Sequence, residues 1–265
     1  TGLSDLNLEF YFNGDYIGNV TTQDLGLYSF EFLVPVDTLL GTHNIEVIFV
    51  GSYFYVASDS NSDSEILSTT MFEFNEIEVF RNQEFFLTSY LFDDLSNPML
   101  NQHVNLTFDG KRYHLVTNEE GLVEQNITLS PSHKLGNYVA TWDYSGLEYY
   151  LPTFSDQEVT VLASTNIQLL SDTEVIVGEF FAFNGTLKDD MGNPLNAMLS
   201  FSFDGNIIET IESDSNGYFE NTYLVPNESI AGPNTIMITY IPDEFYLSST
   251  SSWVLQVSHN IRIEM

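Results

Sequence analysis

Between residues 197 and 203 the side chains alternate, with Leu199, Phe201 and Phe203 on one parity and Met198, Ser200 and Ser202 on the other. Period two is the mark of a half-buried strand. Asp204-Gly205 follows as a tight hairpin signal, and a second strand is expected over 207–211. The turn Asp214-Ser215-Asn216-Gly217 then leads into a strand over 218–225. After Pro226 a loop runs to Gly232, with strands predicted over 235–240 and 246–257. Upstream, the pattern predicts strands over 165–170 and 174–187, then a reversal through Asp189-Asp190-Met191-Gly192-Asn193-Pro194. No window shows apolar periodicity near 3.6 residues, so helices are not expected. Lettered A to G, these seven short strands, with turn signals every 8 to about 12 residues, predict an immunoglobulin-like sandwich.

The pattern recurs with a period of about 95 residues. Phe12-Asn13-Gly14 returns as Phe108-Asp109-Gly110 and Phe203-Asp204-Gly205. Gly26 returns as Gly121 and Gly217, Pro35 as Pro131 and Pro226, Gly41 as Gly136 and Gly232, and Tyr55 as Tyr150 and Tyr246. Landmarks that keep their order and spacing through three copies define tandem domains, each large enough to close its own core. Comparing copies assigns the faces of strand F. Ile45, Val47 and Phe49 match Ala140, Trp142 and Tyr144, and then Ile236, Ile238 and Tyr240, so this is the core side. The recurrent tyrosine is expected to open strand G as a packing residue.

The chain resembles the tandem Ig-like repeats of prokaryotic, especially archaeal, cell-surface proteins. The motifs that carry the likeness are D-x-x-G-x-P-L at 189–195, F-D-G at 203–205, D-x-N-G-x-F at 214–219, Val225-Pro226, G-x-N-x-I at 232–236 and Y-x-x-S at 246–249. The first copy matches through Gly41-Thr42-His43-Asn44-Ile45 and Tyr55-Val56-Ala57-Ser58. The second departs, with Ser130-Pro131 for Val-Pro and Tyr150-Leu151-Pro152-Thr153 for the Tyr-x-x-Ser form. The resemblance implies an architecture and a surface setting. It implies no catalytic residue, because such repeats serve in stalks, adhesins, surface layers and filaments alike.

Aligned on the repeat, residues 1–68 are a copy lacking its first two strands, 69–163 and 164–257 are complete copies, and 258–265 begin a fourth. Two explanations are open: a piece of a longer chain, or a tail that completes the first copy of another molecule by strand addition. The missing segments are longer than the tail, which favours the first. Strand A alone remains exchangeable.

Charge narrows the setting. Thirty-eight Asp and Glu stand against six Lys and Arg, a formal net charge of −32. Nucleic acid and anionic membrane surfaces need basic patches and are excluded as partners. No stretch is long and apolar enough for a membrane helix. Without cysteine there are neither disulfides nor thiolate metal sites. The histidines never fall as a close pair, and no nucleophile elbow, HExxH or phosphate-binding loop occurs, so no enzyme is expected.

The acidic turns are the candidate metal site. The BC, DE and FG turns of such a sandwich share the end that faces the preceding copy. They gather Asp189, Asp190, Asp214, Asp243 and Glu244 in the third copy, and Asp93, Asp94, Glu119, Glu120 and Glu148 in the second. Converging carboxylates at a junction suit Ca²⁺, which takes six to eight oxygens. The alternative is that these are ordinary turn residues. Five sequons, at Asn19, Asn105, Asn126, Asn184 and Asn227, fit glycosylated surface loops, although a chain rich in Asn, Ser and Thr produces such triplets by chance.

The sequence thus predicts an extracellular, non-catalytic component of a stalk, surface layer or filament, whose partners are other copies or neighbouring repeats. The alternative is an adhesin binding a partner cell or surface glycan. An adhesin should carry a contiguous exposed aromatic patch in one copy only, with Tyr144, Tyr149 and Phe154 as candidates.

Overall fold

The computed structural model describes residues 2–260, all-β apart from one short helical turn at Asp24–Gly26. The first copy holds β1 (Asn7–Phe12), β2 (Asp15–Thr21), β3 (Gly41–Phe49) and β4 (Ser58–Ile66), one sheet in the order β2-β1-β3-β4. The second holds β5 (Thr70–Glu73), β6 (Ile77–Phe80), β7 (Glu84–Asp93), β8 (His103–Phe108), β9 (Lys111–Val116), β10 (Leu122–Thr128), β11 (Gly136–Tyr144) and β12 (Thr153–Leu162). The third holds β13 (Thr165–Ser171), β14 (Glu174–Ile176), β15 (Phe180–Asp189), β16 (Met198–Phe203), β17 (Asn206–Glu212), β18 (Tyr218–Leu224), β19 (Gly232–Tyr240) and β20 (Thr250–Ser258).

The second and third copies repeat one topology. A three-stranded sheet, β10-β7-β5 or β13-β15-β18, faces a five-stranded sheet, β6-β12-β11-β8-β9 or β14-β20-β19-β16-β17. These are tandem Ig-like sandwiches. Inward side chains alternate with outward ones on both sheets and fill a core between them. Trp142, Tyr144, Phe108, Leu87 and Leu91 are buried in the second copy, and Phe181, Phe183, Phe201, Phe219 and Tyr240 in the third. The strand F assignment holds: Ala140, Trp142, Ile236 and Ile238 are fully inaccessible.

The structure corrects two strand boundaries. The single strand expected over 174–187 is two. Glu174–Ile176 crosses to the five-stranded sheet and pairs parallel with β20, and only after a turn at Gly178 does β15 begin. Val175 and Val257 are both core residues, so burying them together drives the switch of sheets. The last strand also starts later, at Thr250, leaving Tyr246 in the loop before it.

The recurrent landmarks are turn devices. Phe-Asn-Gly and its two Phe-Asp-Gly counterparts are two-residue hairpins with both central residues at positive φ, +50° and +88° in the first copy. Asn, Asp and Gly adopt that conformation most readily. Gly217 stands at φ +72°, and a Cβ there would lie 2.3 Å from the Leu187 carbonyl oxygen; Gly121 meets Leu91 in the same way at 2.6 Å. Only glycine lets the turn after strand D close onto strand B.

The first copy keeps only its larger sheet among the described residues. Segment 27–34, the counterpart of β10 and β18, lies across that sheet with Phe30 stacked on Phe10 at 4.6 Å and Phe32 against Phe12 at 5.4 Å. It does not become a strand, because β10 and β18 pair only with β7 and β15, and no described strand occupies that place here. Ile45, Val47 and Phe49 are consequently half-buried where their counterparts are inaccessible. Of the fourth-copy strand expected over 258–265, Ser258 belongs to β20, 259–260 lie in no strand, and 261–265 are outside the described residues.

Candidate functional site

The two junctions are built alike. Only 67–69 separate β4 from β5, and only 163–164 separate β12 from β13. Each short linker inserts one residue into the FG loop of the copy that follows. The Ser68 amide donates to the Tyr149 carbonyl, and the Leu151 amide donates to the Ser68 carbonyl, both at 2.9 Å. The Ala163 amide donates to Phe245 at 3.0 Å, and the Leu247 amide donates to Ala163 at 2.9 Å. Two residues on, a threonine hydroxyl adds a third bond: Thr70 to the Leu151 carbonyl at 2.9 Å, Thr165 to that of Leu247 at 2.8 Å. The recurrent Tyr150 and Tyr246 stand opposite Ser68 and Ala163 in parallel bridges. Their place in the pattern therefore marks the linker socket rather than the start of a strand.

At the junction of the second and third copies a guanidinium meets the acidic turn. Arg81, directly after β6, donates through Nη2 to Asp189 at 2.8 Å, and through Nε to both oxygens of Asp190 at 2.9 and 3.0 Å. Nη2 also contacts Asp190 Oδ1. The Arg81 side chain is 8% exposed and that of Asp189 3%. Asp189 has a second duty. Its Oδ1 accepts the amides of Met191 and Asn193, and its Oδ2 accepts the Asn193 side chain. Burial pushes its carboxyl pKa up, but hydrogen bonds from the Asn193 side chain, Arg81 and the turn backbone outweigh that and hold it below its ordinary value. Neighbouring anions raise the Arg81 pKa, the Asp190 hydrogen bond most of all.

The other predicted ligands serve their own turns. Asp93 accepts from Leu95, Asn97 and the Asn97 side chain just as Asp189 does in its turn, and Asp94 accepts the Ser68 hydroxyl at 2.7 Å. Asp214 accepts the amides of Asn216 and Tyr218 at 2.8 and 2.9 Å, which lower its pKa. Its counterpart Asn118 accepts from Glu120 and Leu122 in the same way, so that turn needs an acceptor and no charge. Glu119, Glu120, Asp243 and Glu244 are exposed. The three turns do share the end facing the preceding copy, but among the described residues no three Asp, Glu or His gather closely enough to hold an ion.

Of the sequons, Asn19, Asn105, Asn126 and Asn184 lie within β2, β8, β10 and β15, while Asn227 lies in an exposed loop. The three candidate aromatics do not form a patch. Tyr144 is a core residue bonded to Gln102, Tyr149 is half-buried against Gly41 of the first copy, and Phe154 is 75% exposed. Arg81 was not singled out by sequence reasoning. Its signal was scarcity, because it is the only Lys or Arg before Lys111.

No family model and no curated protein matches the chain in sequence. Among solved structures it is similar to a tetra-tandem repeat from the extending region of a large adhesion protein, at 13% identity and TM-score 0.34, over 97% of this chain and 68% of that one. It is similar to three N-terminal domains of the Highly Immunogenic Outer Capsid protein of bacteriophage RB49, at 10% identity and TM-score 0.40, over 97% and 89%. An ICAM-5 D1–D4 ectodomain fragment aligns at 9% identity and TM-score 0.48, over 84% and 63%.

Proposed function

We propose that the chain is a non-catalytic spacer of a cell-surface or extracellular assembly, in which tandem Ig-like copies are locked end to end. The observation that carries this reading is the junction. A linker of two or three residues, with its amide and carbonyl both bound by the next copy, leaves little freedom between neighbours. The Arg81 clamp adds a charge-assisted, partly bidentate contact. In this reading the guanidinium supplies at one junction the positive charge that Ca²⁺ was expected to bring, and surface glycosylation at Asn227 is compatible with it. Small-angle scattering with and without EDTA tests the proposal. A stiff elongated particle indifferent to EDTA supports it. A broad distribution of inter-copy angles overturns the stiff-spacer reading, and stiffness lost on chelation overturns the clamp in favour of a divalent cation.

A further inference from the structure

The second and third copies treat their first strand differently. β13 runs beside β15 over all seven of its residues, Thr165 to Ser171. β5 pairs with β7 over four residues only, Thr70 to Glu73, its last partner being Tyr90. The cause is buried. Gln157, which accepts the Trp142 indole N–H, donates to the Asn75 carbonyl at 2.6 Å, and Ile77 then joins β12. The chain is thereby drawn across to the other sheet early. Residues 84–89 of β7 are left paired with β10 on one side and, among the described residues, with no strand on the other. A groove of about 440 Å³, lined by Phe72, Glu73, Phe74, Asn75, Thr88 and Tyr90, opens at the end of the notch where β5 leaves β7.

The outward side chains beside this notch are unlike those of the third copy. Met71 pairs with Phe92, and Tyr90 lies between Glu73 and Leu122, with its ring parallel to that of Phe92 at 6.1 Å. Phe86 stands further along the strand and is 55% exposed. At the positions of Met71 and Phe92, Glu73 and Tyr90, and Phe86 the third copy has Asn166 and Lys188, Gln168 and Thr186, and Ala182, while its own exposed aromatics, Phe180 and Tyr218, stand where Glu84 and Leu122 do. The row Phe86, Tyr90 and Phe92 is therefore not a requirement of the fold. Its rim is anionic. Glu73, Glu84 and Glu124 project among the apolar side chains, and this face carries no Lys or Arg.

We propose that this notch receives an extended segment of a partner protein bearing Lys or Arg at alternate positions, added as a strand along residues 84–89. Unpaired backbone supplies the hydrogen bonds of strand addition. Tyr90 and Phe86 offer ring faces to the cations and the three glutamates their counter-charge. A second copy of this chain is disfavoured as the occupant, because at −32 it brings chiefly like charge. The docking is independent of the spacer reading.

The test is titration of the isotope-labelled chain with a peptide of about ten alternating Lys and Val residues, followed by backbone amide NMR at physiological ionic strength. Two further peptides carry N-methyl groups on odd or on even amides. A bound strand turns only alternate amides toward its neighbour, so one methylated peptide should bind at least about tenfold more weakly and the other nearly as well as the parent. Shifts should centre on 71–76 and 84–92, and Glu73→Lys/Glu84→Lys should abolish them while the remaining amide spectrum is unchanged. Equal binding of both methylated peptides, or binding that survives the charge reversal, overturns the proposal in favour of diffuse charge attraction. If cellohexaose shifts these amides and the Lys-Val peptide does not, the face reads a neutral glycan and the proposal fails.

Discussion

Arg81 concentrates the specificity of a whole junction in one side chain. Removing it leaves Asp189 buried and Asp190 beside it without their cation, and breaking one partner of such a buried pair costs about 3 kcal/mol or more. Arg81→Ala should raise amide exchange across 163–165 and widen the angle between the second and third copies, with little effect on the first junction. Acid should act in the same direction. The Asp189 carboxyl is held below its unfolded value near 3.8, so its contribution is complete above that pH and fades as pH falls through the lower folded value. Scattering at pH 7 and pH 3 checks this, with loosening expected only at the acid end. The Asn118 comparison yields a third expectation. Asp214→Asn should leave the urea midpoint of the third copy nearly unchanged, whereas Asp214→Ala, which removes the acceptor of two amides, should lower it.

Among the elements, what could be read from the sequence was whatever depends on neighbours in the chain. Alternation located β16 to β19 within a few residues, and Asn-Gly or Asp-Gly located the three two-residue hairpins, because those choices are local. The split of strand B was hidden. Val175 and Val177 fall in the same alternation as Phe181 and Phe183, and only pairing with a strand some eighty residues away shows that Glu174–Ile176 belongs to the opposite sheet. The acidic turns were placed at the correct end, but their carboxylates look alike in sequence whether they cap an amide or face a neighbour. The socket formed by Ser68, Thr70 and Leu151 was hidden because two of its three bonds join backbone atoms, and neither the threonine nor the recurrent tyrosine shows in sequence what it faces. Gly217→Ala tests how strictly a turn landmark is set. With φ at +72° and no space before the Leu187 carbonyl, it should destabilise the third copy by more than about 1 kcal/mol. The fluorescence of Trp253, one of two tryptophans, reports that copy, while Trp142 reports the second.

For the whole molecule, charge and mechanics matter more than any single contact. At −32 the copies repel one another along their length. Shortening the Debye length from about 30 Å to about 3 Å by raising salt from ~0.01 M to ~1 M should stabilise the folded chain, seen as a higher melting temperature. The parallel pairing of β6 with β12, and of β14 with β20, has a further consequence. A copy is entered through β5 or β13, runs on into β6 or β14, and is left through β12 or β20. Tension drawn between its ends therefore pulls these two neighbours in opposite senses along their common axis. Their hydrogen bonds share that load together instead of opening one after another, as the bonds of a hairpin pulled at its open end do. The second copy sets four residue pairs of this parallel clamp against the pull and the third only three, so once the first strands β5 and β13 have detached the third copy's clamp is the shorter one to shear.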